Sequence, residues 1–193
     1  MPSMKKILLA STSPYRRELL ERLAVPFESA RPLIDEEKEK DPRLSPRALA
    51  EHLALLKARS LAAPGLVVIG GDQLVAFEGR ILGKPGSRDR AIGQLTAMSG
   101  KTHELMTAIC VIDGERVLSH TDVTRLTLKS LSRAQIEKIV DRDEPFDCAG
   151  SYKIEKHGIA LIERLESDDF TAIQGLPLLA LSRMLTACGI ENP

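Results

Sequence analysis

Short apolar runs alternate with capped helical segments along this chain, and this alternation constrains its fold more than any other feature of the sequence. The run Lys6–Ala10 is continuous and apolar, which is typical of a strand covered on both faces. Ser13 then suits a helix cap and Pro14 the first helical position, and Ser45 with Pro46 predicts a second helix of the same kind. Strands and helices that alternate in this way predict an α/β fold.

The middle of the chain predicts a further strand and a hairpin. Residues 66–69 form a second fully apolar run, which Gly70 and Gly71 are expected to close. Residues 74–77 and 80–82 then flank Glu78-Gly79, a pair that favours a tight turn between antiparallel strands.

The rest of the chain predicts another pair of strands and three helices. Apolar and polar residues alternate with period two in residues 103–112 and 117–128, on either side of Asp113-Gly114. Ser132 and Gln135 match a capping box at the start of a helix. The remaining predicted elements are a helix from Ser87 to near Gly100, a strand over residues 159–165 and a helix over residues 177–188. We therefore expect a mixed, twisted sheet flanked by helices, in a single domain over residues 1–193.

The composition excludes several classes of function. The 193 residues are 43% hydrophobic, which is enough for a core and excludes disorder over most of the length. Lysine plus arginine number 27, as do aspartate plus glutamate, so no summed positive field exists to hold a nucleic-acid duplex. Aromatic residues make up only 3%, which argues against stacking platforms for bases and against grooves built on rings.

The cysteines and the first residues bear on where the protein works. Cys110, Cys148 and Cys188 are far apart and odd in number, so they indicate neither a disulfide framework nor a zinc site. The apolar run after Met4-Lys5-Lys6 is too short for a signal peptide or a membrane span. We therefore expect a soluble cytoplasmic protein with neither a membrane nor a nucleic acid as partner.

Familiar catalytic motifs are absent from the sequence. It contains no phosphate-binding loop, no dinucleotide fingerprint and no zinc-binding His-Glu-x-x-His, and its four histidines are scattered. Ser11 and Arg16 lie at the first strand-to-helix junction, where hydroxyl and backbone N–H groups can meet an anion. A capped helix with solvated arginines is the simpler interpretation of that junction taken alone.

Four further charged residues have both a functional and a simpler interpretation. Glu36 lies in an acidic run that is usually a solvated loop, and Lys57 adjoins apolar residues on the second helix, where a snorkelling lysine also fits. Asp72 follows an apolar strand, at the end where α/β sheets build sites, and Lys84 follows the hairpin, where turn lysines are common. Together with Arg16 they match a metal-bound polyphosphate, because carboxylates hold a divalent cation while basic groups clamp phosphate oxygens.

With these residues the sequence resembles the Maf family of nucleotide pyrophosphatases nearly from end to end. The resemblance implies a fold with two lobes and a central cleft, similar to inosine triphosphatases, and a homodimer. It also implies hydrolysis of a nucleoside triphosphate to the monophosphate and diphosphate. The ordered set that carries it is Leu8-Leu9-Ala10-Ser11-Thr12-Ser13-Pro14-Tyr15-Arg16-Arg17, Asp35-Glu36, Lys57-Ala58, Gly71-Asp72-Gln73, Gly83-Lys84-Pro85, Ala149-Gly150-Ser151-Tyr152 and Gly175-Leu176-Pro177.

Within this family the sequence is similar to the branch that acts on 7-methyl-GTP. Tyr15, Gln73 and Glu155 stand where the branch cleaving dTTP and UTP typically has arginine, threonine and glutamine. A carboxylate at Glu155 can accept hydrogen bonds from N1 and N2 of guanine, while Tyr15 can offer a ring face to the cationic 7-methylated base. The alternative for Glu155 is a solvated loop acid between Lys153 and Lys156. The sequence departs from the family at Leu55-Leu56, where a polar and acidic pair is common.

The resemblance also implies a role for each candidate residue. Asp72 is the expected proton acceptor for the attacking water and, with Glu36, the expected ligand of Mg²⁺, Mn²⁺ or Co²⁺. Arg16, Lys57 and Lys84 are expected to stabilise the leaving diphosphate, and Ser11 to hold a terminal phosphate.

Two other functions fit the same residues. One is a nucleotide-binding regulator of septum formation or cell division, which has no physiological turnover and does not need Asp72. The other is a phosphomonoesterase, which releases orthophosphate rather than diphosphate.

Overall fold

Seven strands and six helices lie within residues 5–191, the part of the chain that the computed structural model describes. The strands are β1 (Lys6–Ala10), β2 (Phe27–Ala30), β3 (Leu66–Phe77), β4 (Arg80–Leu82), β5 (Thr102–Asp113), β6 (Arg116–Leu128) and β7 (Ile162–Glu166). The helices are α1 (Pro14–Glu21), α2 (Glu36–Glu39), α3 (Pro46–Arg59), α4 (Arg88–Met98), α5 (Arg133–Asp143) and α6 (Leu178–Ala187), with 3-10 helices at Gly158–Leu161 and Ala172–Gln174. None of the helices in this range combines the length and apolar character needed to cross a membrane.

The strands form one mixed sheet in the order β2-β1-β3-β5-β6-β7, with β4 paired to β3. Strand β1 is parallel to both β2 and β3, and Leu9 is in register with Ser29 on one side and Ile69 on the other. Strands β4 and β7 are antiparallel to β3 and β6, respectively. The predicted mixed sheet with flanking helices is therefore confirmed.

The described residues group into two compact units, each with its own core. The first unit contains residues 5–73, 107–122 and 169–191, and the second contains residues 74–106 and 123–168. The core of the first unit joins β1 and β3 to α1 and α6, with Leu9 and Leu185 fully buried. The core of the second unit joins α4 and α5, with Leu95 and Ile136 among its most buried side chains.

Serine caps account for the start of three predicted helices. Ser13 and Ser45 each accept a hydrogen bond from the backbone N–H three residues later, at 3.4 and 3.2 Å. Ser132 and Gln135 form the complete capping box at the start of α5. Ser87 occupies the cap position of α4, but its side chain makes no cap hydrogen bond within the described range. These caps are local signals, which explains why the sequence reveals them.

Both predicted turns between neighbouring strands are present. Strands β3 and β4 pair Val75 with Leu82 across the Glu78-Gly79 turn. Strands β5 and β6 are neighbours in the sheet, and a turn at residues 114–115 joins them.

The sequence predicted that strand β3 ends at Gly70 and Gly71, but the strand runs through both of them. A Cβ atom at Gly70 would lie 2.6 Å from the backbone nitrogen of Ala58 and closer still to the carbonyl oxygen of Ala54, both in α3. Glycine is therefore required here because the backbone of α3 packs directly against the strand. As a consequence, Asp72 lies inside a strand rather than after its end.

Three short segments also differ from the sequence prediction. Neither β2 nor α2 was expected, and the strand predicted over residues 159–165 begins only at Ile162, after a 3-10 helix. Strand β2 lies at the edge of the sheet and is only four residues long, and α2 is equally short. Elements of this length carry too little periodicity to be recognised.

Candidate active site

Lys57 is buried because of its place on α3. It follows Leu49 and Leu53 at a spacing of four residues, which places all three on one face of the helix. This face is buried, and Lys57 is only 5% exposed. The side chain of Lys57 is thus buried more deeply than the sequence predicted.

The ammonium group of Lys57 bridges two carboxylates. Its Nζ atom lies 2.7 Å from Oδ1 of Asp72 and 3.0 Å from Oε1 of Glu36. Asp72 is 5% exposed, whereas Glu36 is exposed at the first position of α2. A second cationic group, the guanidinium of Arg16, lies within electrostatic range of both carboxylates. The structure therefore brings together three of the predicted site residues.

The second carboxylate oxygen of Asp72 has no hydrogen-bond partner. Oδ2 is buried, and no donor within residues 5–191 reaches it. Leaving a buried polar atom unpaired costs about 1 to 3 kcal/mol, so such atoms are rare in folded proteins and often mark a place that a ligand or ion completes. Lys57 fixes Oδ1, and Oδ2 is the atom that remains to bind a cation or to accept a proton.

Asp72 and Glu36 together fit one kind of metal ion. No group of three or more His, Cys, Asp or Glu side chains within the described range is arranged to hold a metal. Mg²⁺ is commonly held by one or two carboxylates, with water and substrate phosphates as its other ligands. The two carboxylates and the unpaired Oδ2 atom fit a cation that binds together with a phosphate ligand.

Arg16 lies within electrostatic range of both carboxylates. Its Nε atom donates to the carbonyl oxygen of Gly175 at 2.9 Å, which orients the guanidinium group at the first turn of α1. Burial lowers the pKa of Arg16 from its ordinary value, while the negative charges of Asp72 and Glu36 act in the opposite direction. Arg16 is thus held near the carboxylates by a backbone contact.

Ser11 lies in the turn between β1 and α1 and is buried. Its Oγ atom accepts a hydrogen bond from the backbone N–H of Ser13 at 3.1 Å. A hydroxyl group can accept and donate at the same time. Ser11 can therefore still donate its own hydrogen to an anion at the start of α1.

Gln73 faces the opposite side of β3 from Asp72, because successive side chains of a strand alternate. Its Nε2 atom lies 2.9 Å from Oγ1 of Thr107 and 3.0 and 3.1 Å from the carbonyl oxygens of Ala172 and Ile173. Carbonyl oxygens only accept hydrogen bonds, so these contacts place the nitrogen of the amide towards them and Oε1 away from them. Gln73 therefore presents an acceptor on its remaining side.

Two buried polar residues that organise this side of β3 were not predicted from the sequence. Thr107 is fully buried in β5 and donates to the carbonyl oxygen of Ala172 at 3.0 Å. The carboxylate of Asp169 accepts hydrogen bonds from the backbone N–H groups of Thr171 at 2.9 Å and Leu179 at 2.8 Å. A polar residue within the apolar stretch of β5 is the signal that identifies Thr107; the sequence carries no comparable signal for Asp169.

The remaining predicted site residues are Tyr15, Lys84 and Glu155. Tyr15 is half-buried at the second position of α1, in the first unit. Lys84 and Glu155 belong to the second unit, where both are exposed. Their convergence with the residues of the first unit stays a prediction.

Comparison with known proteins yields close relatives over nearly the whole chain. A family model described as Maf-like protein matches residues 6–188. A protein of Bdellovibrio bacteriovorus named 7-methyl-GTP pyrophosphatase is 62% identical over 181 residues, covering 94% of this chain and 96% of that protein. A protein of the same name from Xanthomonas oryzae is 46% identical over 192 residues, covering 98% of this chain and 100% of that protein. Among solved structures, a nucleoside-triphosphatase (dITP/XTP pyrophosphatase) of Mycobacterium abscessus aligns with a TM-score of 0.42 and 19% identity, over 65% of this chain and 75% of that one.

Proposed function

The chain belongs to the family of Maf-like proteins, and on this premise we propose that it hydrolyses 7-methyl-GTP to 7-methyl-GMP and diphosphate. The observation that carries the proposal is the buried ion pair of Lys57 and Asp72, with Glu36 as a second carboxylate on the same ammonium group. The names of the relatives support the choice of substrate. We assign the activity to one domain over residues 1–193, because the family match spans residues 6–188.

In the proposed reaction a water oxygen attacks the α-phosphorus, the bond to the bridging oxygen breaks, and diphosphate leaves. Asp72 accepts the proton of the water through Oδ2, the atom without a partner in the described range. Lys57 holds Oδ1 at 2.7 Å and so prevents the carboxylate from rotating. A proton acceptor that is oriented before the substrate binds does not have to be ordered during the reaction.

We assign a divalent cation, Mg²⁺, Mn²⁺ or Co²⁺, to the carboxylates of Asp72 and Glu36. When bound, such a cation polarises phosphate oxygens and makes water a stronger acid. Glu36 is exposed and lies on a four-residue helix, so it can adjust to the ligand, whereas Asp72 is held by Lys57.

Three basic residues and one hydroxyl are assigned to the phosphate groups. Arg16 uses Nε for the carbonyl oxygen of Gly175, and we assign its two terminal nitrogens to phosphate oxygens. Lys57 and Lys84 add positive charge where the leaving diphosphate gains negative charge. Ser11 and the backbone at the start of α1 bind the terminal phosphate.

Tyr15, Gln73 and Glu155 are assigned to the base. Gln73 presents Oε1 as an acceptor because its nitrogen is bound to Thr107 and two backbone carbonyls. Glu155 offers an exposed carboxylate to the N1 and N2 donors of guanine, and Tyr15 offers a ring to the positive charge of the 7-methylated base. Donors on the base and acceptors on the protein then select guanine over pyrimidines.

The test is a panel of nucleoside triphosphates assayed separately with Mg²⁺, Mn²⁺ and Co²⁺. The panel contains 7-methyl-GTP, GTP, UTP and dTTP, and the assay scores diphosphate and orthophosphate in parallel. We expect diphosphate as the first product, the highest kcat/KM for 7-methyl-GTP, and no turnover when a chelator removes the metal.

Two results would redirect the assignment. Orthophosphate as the first product identifies a phosphomonoesterase that uses the same residues. Saturable binding of nucleotides without release of diphosphate under any of the three metals identifies a binding protein, such as a regulator of septum formation or cell division.

We further propose that the protein works in the cytoplasm as a homodimer that removes a modified nucleotide. Cys110, Cys148 and Cys188 are all free thiols, which suits a reducing compartment. The substrate is a small molecule, and the balanced net charge of the chain offers no field for nucleic acid.

A further inference from the structure

Glu155 lies in a tight turn that residues 153–158 form in the second unit. The carbonyl oxygen of Lys153 accepts two hydrogen bonds, from the backbone N–H of Lys156 at 3.1 Å and of Gly158 at 3.0 Å. A Cβ atom at Gly158 would lie 2.6 Å from the same carbonyl oxygen, so only glycine permits this closure. Glu155 lies inside the turn that these two hydrogen bonds close, and it is exposed.

His157 fastens this turn to the end of α5. Its Nδ1 atom lies 2.6 Å from Oδ1 of Asp143, and its backbone N–H donates to Oδ2 of the same carboxylate at 3.2 Å. The side chain of Asp143, the last residue of α5, is 2% exposed, whereas that of His157 is 47% exposed. A buried carboxylate with both oxygens bound to one residue holds the backbone of that residue as well as its ring.

Lys153 supplies a second anchor at the other end of the turn. Its Nζ atom lies 3.2 Å from Oδ1 of Asp147, and the side chain is only 11% exposed. The turn is thus held at both ends by ion pairs or hydrogen bonds to residues at or just after the C-terminal end of α5. A carboxylate that must meet two donors of a flat base needs this kind of support, because small displacements weaken both hydrogen bonds.

We propose that Asp143 and His157 are positioning residues for base selectivity, which hold the turn so that the carboxylate of Glu155 meets the N1 and N2 donors of a guanine base. This inference rests on the assignment of Glu155 to the base in the proposed function. His157 acts through the backbone of the turn and does not itself contact the nucleotide.

The experiment compares two substrates that differ only in the donor that Glu155 reads. The 7-methylated triphosphates of guanosine and inosine share the methyl group, the positive charge and the phosphates, but the inosine base lacks the N2 amino group. The ratio of their kcat/KM values therefore reports the contact with N2. We expect Glu155→Gln to lower this ratio about tenfold, and His157→Ala to lower it by a similar factor, because the guanosine nucleotide loses two contacts and the inosine nucleotide only the one with N1.

Two matched variants separate positioning from loss of folding. In His157→Asn the side-chain amide nitrogen takes the place of Nδ1 and keeps the hydrogen bond to Asp143, so the ratio should return to within about threefold of the wild type. In His157→Gln the amide lies one bond farther out, and the ratio should stay low. The Asn and Gln variants carry the test if the alanine variant does not fold.

A double variant links the two residues. If His157 acts only through Glu155, adding His157→Ala to Glu155→Gln leaves the ratio where the single Glu155→Gln variant has it. A wild-type ratio in His157→Ala and His157→Gln, together with a lowered ratio in Glu155→Gln, overturns the positioning role but keeps the assignment of Glu155. An unchanged ratio in Glu155→Gln overturns both, while release of diphosphate from either substrate still supports the proposed activity.

Discussion

Each of the two compact units contains a buried pair of polar side chains that leaves one atom unpartnered, and these two pairs differ in charge. In the first unit Nζ of Lys57 lies 2.7 Å from Oδ1 of Asp72, and in the second unit Nε2 of His103 lies 2.7 Å from the hydroxyl oxygen of Tyr152. All four residues are less than a tenth exposed. Each pair also leaves one buried atom without a hydrogen-bond partner in the described range, Oδ2 of Asp72 and Nδ1 of His103.

Burial has opposite consequences for the two pairs. It lowers the pKa of His103 to about 4 and raises the pKa of Tyr152 above its ordinary value, so both side chains are neutral at pH 7. Lys57 instead remains in a charged cluster with two carboxylates, and Oδ2 of Asp72 has no partner within the described range. A neutral buried pair is a low-cost part of a core, whereas a charged pair with an unpaired oxygen is costly unless a ligand completes it. The comparison therefore points to the first pair as the chemical site.

The strongest test of this difference is Asp72→Asn. Asparagine keeps the shape of the side chain but cannot accept the proton of the attacking water or supply a negative ligand. We expect kcat to fall roughly 1000-fold, while the Kd for nucleotide measured by calorimetry without divalent metal changes little, because the contacts of the basic residues with phosphate remain.

The control for Asp72→Asn lies in the neutral pair. In His103→Gln the amide nitrogen takes the place of Nε2, and we expect kcat to stay within about threefold of the wild type. Wild-type turnover in Asp72→Asn would remove this residue from the mechanism, and an equal loss in both variants would end the distinction between the pairs.

Removing the positive charge of the first pair should have the largest effect on stability. Lys57→Met keeps the length of the side chain but leaves the buried carboxylate of Asp72 without its counter-ion, and we expect the free energy of unfolding to fall by about 3 to 5 kcal/mol in urea titrations. Tyr152→Phe removes only a neutral hydroxyl group and should cost about 1 to 3 kcal/mol.

A second variant shows whether the uncompensated charge of Asp72 causes the loss of stability in Lys57→Met. In Lys57→Met combined with Asp72→Asn the uncompensated charge is gone, so the double variant should be more stable than Lys57→Met alone. If the double variant is instead the less stable of the two, packing rather than charge explains the loss.

The neutral pair predicts how stability depends on pH. His103 has an ordinary pKa of 6.5, which the unfolded chain retains, and burial lowers its pKa to about 4 in the folded protein. Between these values the unfolded state binds more protons, so this contribution is fully present above pH 6.5 and is lost as the pH falls towards 4. We expect a loss of up to about 3 kcal/mol in the free energy of unfolding over this range.

His103→Gln identifies the residue responsible, because it should remove this part of the pH dependence. His120→Gln, at a half-buried position, should retain it. A wild-type pH profile in His103→Gln would show that other groups cause the loss at low pH.

Local signals explain which parts of the fold the sequence predicted. The caps at Ser13, Ser45 and Ser132 act over three residues, and the Glu78-Gly79 hairpin over fewer than ten, so residues close in the sequence determine them. Strand β2 has no such signal, because its four residues are of mixed polarity at the edge of the sheet.

The contacts of the site depend on pairing between distant residues. Lys57 and Asp72 were both predicted as site residues, but their contact depends on how α3 packs on β3, and no local pattern encodes that arrangement. The contact between Thr107 and Gln73 also depends on distant pairing, because the two residues are 34 positions apart and meet on the opposite side of β3. Gly70 shows the limit most clearly, because the sequence was interpreted as ending the strand at this glycine, whereas the glycine lets the backbone of α3 pack directly against the strand.

Gly70→Ala and Gly71→Ala test that close approach. A Cβ atom at Gly70 meets the backbone of α3, which cannot move aside without shifting Lys57, whereas a Cβ at Gly71 lies 3.5 Å from the carbonyl oxygen of Ala108, an ordinary contact. We expect Gly70→Ala to lower the free energy of unfolding by about 1 to 3 kcal/mol and to reduce kcat, while Gly71→Ala changes stability by less than about 1 kcal/mol.

Gly70→Ala should disturb the charged pair of Lys57 and Asp72 without affecting the neutral pair. His103 and Tyr152 lie in the other unit, so the loss of stability between pH 6.5 and 4 should keep its wild-type size in this variant. Two results would contradict this account. Equal stability of the Gly70→Ala and Gly71→Ala variants would mean that the packing of α3 against β3 does not require a glycine at position 70. An altered dependence of stability on pH in Gly70→Ala would mean that the two buried pairs are energetically coupled.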